Sequence, residues 1–223
     1  MSRYSYKKHY EWSPDIAYLT GLFASDGCLV NNGRHLNITS KDMEIISYVQ
    51  RVLDFSVKVP MKFSSYNGSA YHLQFSNVAL YDFLLLAGLT PAKSKTIGPI
   101  CVPDDFFVDF LRGYFDGDGT VYGYWDKRWP NSLMYYTGYT SASPAFMQWL
   151  QQMNQRLIGT TVGKIKPGGR AMTLTYAKAD SKKLFVAMYH DQKIPKLTRK
   201  YDKFVAFLRA DPYASKELSA RVL

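Results

Sequence analysis

The sequence predicts an α+β protein made of two pseudosymmetric αββαββα halves joined by a short linker. Three observations predict it. Leu19–Gly27 reads LTGLFASDG and Leu111–Gly119 reads LRGYFDGDG, with five of nine positions identical. The same order of elements follows each copy, and a stretch with three prolines, TPAKSKTIGPICVPDD, separates them. A repeat at this spacing marks a duplicated structural unit. The expected boundaries are an N-terminal extension over 1–12, a first half over 13–90, a linker over 91–103, a second half over 104–195 and a C-terminal helix and tail over 196–223.

Each motif reads as a helix. Ser13 and Pro14 are a cap and first residue for one, and Pro103 with Asp104 and Asp105 opens the other. Gly27 and Gly119 are placed as helix stops. CLVNN and LNITS then read as short strands, and Ser40 or Asp42 opens a helix with Ile45, Val49, Val52 and Leu53 on one face. VKVPMKFS and YHLQFS alternate as a hairpin turning at Asn67 and Gly68, and NVALYDFLLLAG is a third helix. In the second half TVYGYW and MYYTGYT are the strand pair around the loop DKRWPNS. Ser143 and Pro144 start a helix carrying Phe146, Leu150, Met153 and Leu157. VGKIK and MTLTY form a hairpin around Pro167, Gly168 and Gly169, and Asp180 caps a helix through Leu184 and Met188. A last helix is expected in KLTRKYDKFVAFLRA.

Composition narrows the partners. With 223 residues and 47% of them hydrophobic, the chain can bury a sizeable core. Its 28 Lys and Arg against 18 Asp and Glu give a net charge of +10, which suggests a polyanion, nucleic acid first. Two cysteines, Cys28 and Cys101, are too few for a disulfide framework and lack zinc-site spacing, so reduced intracellular thiols are expected. No segment approaches the eighteen or so apolar residues of a membrane span, and no membrane partner is expected.

A helix ending in Asp is electrostatically unfavourable, because its C-terminus already carries partial negative charge. Here that happens twice. Gly21 with Ala24 or Ser25, and Gly113 with Gly117, give each helix a small-residue stripe. If the stripes pack together, Asp26 and Asp118 end side by side and repel, so something positive must sit there. Divalent metal is the simplest candidate, and oxygen-only ligands point to Mg²⁺ or a similar hard ion. Such ions suit phosphodiester hydrolysis. Two rivals fail. A phosphatase-type DGDGT motif, with Asp116 as nucleophile, needs a buried strand before it, whereas FVDFLRGYF has helical spacing. A calcium loop would need Glu at the position of Lys127.

The combination resembles the LAGLIDADG homing endonuclease family over nearly the whole chain, in its monomeric, two-motif form. The resemblance implies antiparallel sheets forming a DNA-binding saddle with the motif helices packed at the centre. It implies site-specific hydrolysis of both strands of a long, asymmetric double-stranded DNA target, leaving short 3′ overhangs. Mg²⁺ would be the cofactor, with Mn²⁺ or Ca²⁺ able to occupy the same sites. Asp26 and Asp118 would be the catalytic metal-binding carboxylates, and the carbonyls of Ser25 and Gly117 further ligands. Ser40, Lys41 and Ser141 match polar residues around the phosphates, as do the basic Lys93 and Lys95, then Lys196, Arg199 and Lys200. The chain departs from the pattern where Ala24 replaces an acidic residue and Ala142 stands opposite Lys41. Intron RNA is an additional partner the resemblance allows, and its alternative is an RNA maturase or transcription regulator that binds without cutting. No protein-splicing segments are recognised, so an intein is not expected.

Strand alternation then nominates the side chains facing a duplex groove. In the first half these are Asn32, Arg34, Asn37, Thr39, Lys58, Lys62, His72, Gln74 and Ser76. In the second they are Tyr122, Tyr124, Lys127, Arg128, Asn131, Lys164, Lys166, Arg170, Thr173 and Thr175. Such groups bond base edges or meet phosphates.

Overall fold

The structure is a computed structural model that describes residues 9–64, 68–128, 132–191 and 193–211. Asn131, Asn67 and part of the loop DKRWPNS lie outside these. The first half runs α1 (Pro14–Ser25), β1 (Gly27–Leu29), β2 (His35–Ser40), α2 (Met43–Val52), β3 (Met61–Ser64), β4 (Gly68–Ser76) and α3 (Val78–Leu86). The second runs α4 (Phe107–Asp118), β5 (Gly119–Trp125), β6 (Leu133–Ser141), α5 (Pro144–Met153), β7 (Lys164–Gly168), β8 (Ala171–Tyr176) and α6 (Lys178–Met188), followed by α7 (Thr198–Ala210). The two sheets are antiparallel with identical order, β1-β2-β4-β3 and β5-β6-β8-β7. This is the predicted α+β duplication.

Alternation sets which face is buried. Leu36, Ile38 and Leu73 of the first sheet, and Tyr135, Tyr139, Leu174 and Tyr176 of the second, turn inward onto the helices and are buried. Residues of the other parity face out. Helices α1 and α4 pack face to face at the centre, and the glycines decide how closely. A Cβ on Gly21 would overlap the carbonyl of Phe110, and one on Gly113 the carbonyl of Tyr18. Only glycine permits backbone contact of this kind, so the small-residue stripes are the helix interface.

Several local expectations are corrected. Both motif helices do end at Gly27 and Gly119, but without a left-handed turn: Gly119 has φ −83° and opens β5. Each is glycine because a Cβ would strike the ring of Phe23 or Phe115 one turn back. Val57–Pro60 is not strand, since Pro60 has no N–H to extend the ladder beyond Met61, so Lys58 sits in a loop before β3. The β7–β8 turn is Gly169–Arg170, with Gly168 paired to Ala171 and Gly169 at φ +63°. Asp180 does not cap α6. It lies in the first turn, and its carboxylate accepts from the backbone N–H and hydroxyl of Thr161. A short 3-10 turn over Asp104–Phe106 precedes α4, and an irregular turn, Asn154–Ile158, extends α5. The last helix, α7, packs on the second sheet, with Phe207 stacked on Tyr135 at 5.8 Å. No helix among the described residues is long and apolar enough to cross a membrane.

Candidate active site at the paired helix ends

Helices α1 and α4 deliver Asp26 and Asp118 to the same place. Asp26 is the C-cap of α1, and Asp118 is the last residue of α4. A Cβ on Gly117 would come within 3.2 Å of an Asp26 carboxylate oxygen, so Asp26 reaches across the helix interface. Burial raises the Asp26 carboxyl to about 6, and the Asp118 charge pushes in the same direction. Burial raises Asp118 too, against the pull of Lys200 and Lys93. Neither carboxylate accepts a hydrogen bond or ion pair among the described residues.

The helix ends carry their own cations. Lys93 is buried, and its Nζ donates to the carbonyl of Gly27 at 2.6 Å. Lys200, also buried, donates to the carbonyls of Phe115 (2.7 Å), Gly117 (2.7 Å) and Gly119 (2.6 Å). Gly27 and Gly119 are matched positions, so Lys93 and Lys200 are mates. Burial lowers both ammonium groups, Lys200 to about 8, while the carboxylates raise them. Two cations already face two anions here, so charge balance alone does not demand a metal. The contacts single out Lys93 and Lys200 from the five basic residues named by sequence. Lys95 is exposed, and Lys196 lies over the ring of Tyr201 at 4.2 Å, in a cleft with Glu44 and Arg51.

The chain segments that bring these lysines in are themselves fixed. Arg112, fully buried in α4, donates to the carbonyls of Met188 (3.0 Å) and Pro195 (2.8 Å) and to Asp109 (2.6 Å). Asp116 accepts from Tyr18 Oη (2.7 Å) and the Leu197 N–H (2.9 Å), and burial raises its carboxyl to about 6. It is a buried tie, not a nucleophile. On the other side Ser143 Oγ donates to the carbonyl of Ile97 at 2.5 Å, holding the segment after Lys93. Arg199 makes two 2.8 Å bonds to Asp42 of the other half, a partnership the sequence did not reveal. Arg199 and Asp42 line one cleft with Asp26, Lys41 and Ser40. Ser40 and Ser141 do the same work: each Oγ accepts from the backbone N–H two residues on, at 3.1 Å.

The donor set suits a hard divalent ion in part. The two carboxylates are oxygen donors without protein partners, whereas the Gly117 carbonyl is taken by Lys200, which leaves Ser25 as the backbone candidate. Among the described residues no cluster of three or more His, Cys, Asp or Glu is present, so phosphate and water would complete any coordination.

The outward sheet faces flank this centre. In the first, Asn37 lies opposite Gln74, Thr39 opposite His72 and His35 opposite Ser76, with Lys62 opposite Ala70. Thr39 Oγ1 and His72 Nδ1 are 2.9 Å apart, and Asn37 Oδ1 is buried without a partner. Asn32 is occupied within its own turn, accepting from the Arg34 and His35 N–H groups, which leaves the Arg34 side chain exposed. In the second, Lys164 and Lys166 lie opposite Thr175 and Thr173. Tyr122 and Tyr124 stack on Tyr136 at 5.3 and 6.1 Å. Tyr136 was missed because tyrosines occupy both parities of β6 and hide the alternation. Lys127 and Arg170 are exposed, but Arg128 is held by Asp126 at 2.8 and 3.1 Å.

A family model, the LAGLIDADG-like domain, matches residues 13–76 and 105–188, one match over each half. The chain belongs to the LAGLIDADG family. Solved LAGLIDADG structures share its fold. I-SmaMI bound to uncleaveable DNA superposes with a TM-score of 0.60 at 12% identity, over 93% of this chain and 97% of that one. I-LtrWI bound to target DNA gives 0.57 at 11% identity, over 94% and 95%. The N-terminal LAGLIDADG domain of DUF199/WhiA gives 0.55 at 14% identity, over 86% and 88%. At these identities the likeness is one of fold, shared by endonucleases and WhiA alike. A segment of elongation factor 2 from Methanopyrus kandleri is 27% identical over a 203-residue alignment that covers 85% of this chain but 14% of that relative's length.

Proposed function

We propose that this LAGLIDADG protein is a site-specific endonuclease that hydrolyses both strands of a long, asymmetric DNA duplex and leaves short 3′ overhangs. The observation that carries the reading is the pair of unpartnered carboxylates, Asp26 and Asp118, at converging helix ends between two outward sheet faces. A protein that only bound DNA would have no use for two mutually repelling carboxylates there. Asp26 and Asp118 would hold Mg²⁺, or Mn²⁺ or Ca²⁺ in its place, and the ion supplies activation of water and neutralisation of phosphate charge. In the hydrolysis a water oxygen adds to phosphorus, one P–O ester bond breaks, and the departing oxygen takes up a proton. Lys93 and Lys200 are placed to offset negative charge as it develops. The sheets would lie in the groove, the first offering Asn37, Thr39, His72 and Gln74 and the second its tyrosines, threonines and lysines. One chain holds both halves, so a monomer reads an asymmetric site.

The second reading, a binder of DNA or intron RNA without cleavage, has the WhiA fold and the Lys200 contact to Gly117 in its favour. Incubating the purified protein with a randomised duplex library and Mg²⁺ separates the two. Cut ends are expected, lost in Asp26→Asn and in Asp118→Asn, with a rate drop of about a hundredfold or more. Retarded but uncut duplex, or cutting that survives both substitutions, would support the second reading.

A further inference from the structure

A second concave site lies on the helix side of the first half. Helix α2 covers the inward face of the first sheet, and a cleft of about 450 Å³ separates it from the segment 193–198. That volume is in the range of small-molecule sites, about 300–1,000 Å³. Ile45, Ile194 and Pro195 give the cleft apolar walls, and Arg51, Lys193 and Lys196 bring three cations to it. Arg51 lies over the ring of Tyr48 at 5.2 Å, Lys196 over that of Tyr201 at 4.2 Å, and Lys193 is exposed. Neither Arg51 nor Lys193 forms an ion pair among the described residues. The one carboxylate in the lining, Glu44, accepts from the N–H and hydroxyl of Thr198. Three like charges around one concavity repel, and an anion relieves the repulsion.

The duplicated frame does not need these charges. Ser40 and Ser141 do the same work, which matches α2 to α5 and sets Asp42 against Ser143, Glu44 against Ala145, Tyr48 against Trp149 and Arg51 against Gln152. Counting back from the mated Lys200 and Lys93 sets Arg199 against Ala92, Lys196 against Leu89 and Lys193 against Leu86. Every charged residue of the cleft therefore has an uncharged mate. Trp149 packs against Phe107 and Phe110 at 6.1 and 5.7 Å, so this place in the frame is aromatic packing in one half and a cationic cleft in the other.

We propose that the cleft binds a nucleotide, with its base against Ile45, Ile194 and Pro195 and its phosphate among Arg51, Lys193 and Lys196. Guanidinium and ammonium groups hold phosphate through charge-assisted hydrogen bonds, and apolar walls take up a flat base as they would not a bare anion. The site goes beyond the nuclease reading and is independent of it, because the side chains nominated for DNA in this half face the other side of the first sheet. The nucleotide is either free or part of an unpaired strand, and the chemistry is the same.

Isothermal titration of the full chain in EDTA tests this. AMP should bind with a Kd of about 1 mM or tighter, and adenosine and inorganic phosphate each about tenfold more weakly than AMP. Arg51→Gln/Lys193→Gln should weaken AMP about tenfold with unchanged thermal unfolding, since both side chains are exposed. Lys164→Gln/Lys166→Gln, on the outward face of the second sheet, should leave AMP binding as it was. An unpaired DNA strand of about ten nucleotides identifies the source. If Arg51→Gln/Lys193→Gln also weakens the strand, the cleft takes a strand, and if only AMP responds it takes the free nucleotide. Saturating duplex should leave AMP affinity unchanged. The proposal is overturned if AMP does not bind, ignores Arg51→Gln/Lys193→Gln, is displaced by duplex, or binds no better than adenosine or phosphate. Cutting of duplex with Mg²⁺ is read separately and decides only the nuclease reading.

Discussion

The first sheet turns short polar side chains outward, Asn37, Thr39, His72 and Gln74, while the second presents three stacked tyrosines with Lys164 and Lys166 beside them. Behind these unlike faces the two halves share strand order and the glycines Gly21/Gly113 and Gly27/Gly119. The helix ends differ again. Lys93 bonds one carbonyl and Lys200 three, and Ala24 stands where Asp116 ties Tyr18 to the Leu197 N–H. The difference teaches which parts of the duplication are constrained. Backbone contact between α1 and α4 and a cation at each helix end are kept in both halves, because close packing and the helix dipole demand them. The outward sheet faces, apart from the paired carboxylates and the two strand-end serines, have diverged.

The sharpest way to break this comparison is at the helix crossing. Gly21→Ala and Gly113→Ala each drive a methyl into a backbone carbonyl that cannot move without separating the helices. Each is expected to cost about 3 kcal/mol or more, by equal amounts, in urea unfolding. A variant that loses nothing would show that its half does not depend on the close approach. Next come the lysines, where the halves should differ. Lys200→Met leaves three carbonyls without their donor and is expected to cost about 3 kcal/mol, whereas Lys93→Met leaves one and costs about 1 kcal/mol. Equal losses would mean that the extra contacts of Lys200 contribute nothing. The smallest effect concerns the clasp that has no charged mate. Bonds from Arg199 hold the Asp42 carboxyl below the ordinary carboxylate range. A depressed folded value means that the pair stabilises fully above about pH 4 and that this contribution is lost as pH falls through the lower folded value. Asp42→Asn should therefore be slightly less stable at pH 7, by under about 1 kcal/mol for so exposed a pair, with the gap closing below pH 4. A gap that persists at acid pH would assign the loss to packing.

Much of this was legible in the residues. The paired LTGLFASDG and LRGYFDGDG motifs give the duplication, the central helices and the choice of Asp26 and Asp118 over Asp116. Alternation in LNITS and MTLTY identifies the outward residues. It failed in MYYTGYT, where tyrosine is amphipathic enough to serve on either face, and at VKVP, where a proline ends a ladder that hydrophobic pattern alone would continue.

The sequence by itself determined the repeat, the element order and the two carboxylates, because these rest on local periodicity and on the electrostatics of a helix end. Only the tertiary structure decided which lysines are buried at the helix ends beside those carboxylates, that Gly117 already has a partner, and that Arg199 belongs to Asp42. Those two residues are 157 positions apart, and the pairing is a through-space event that no local pattern encodes. It exists because two glycine-lined helices bring the halves together, so that the chain after each third helix touches the other half, at Ser143 from Ile97 and at Asp42 from Arg199.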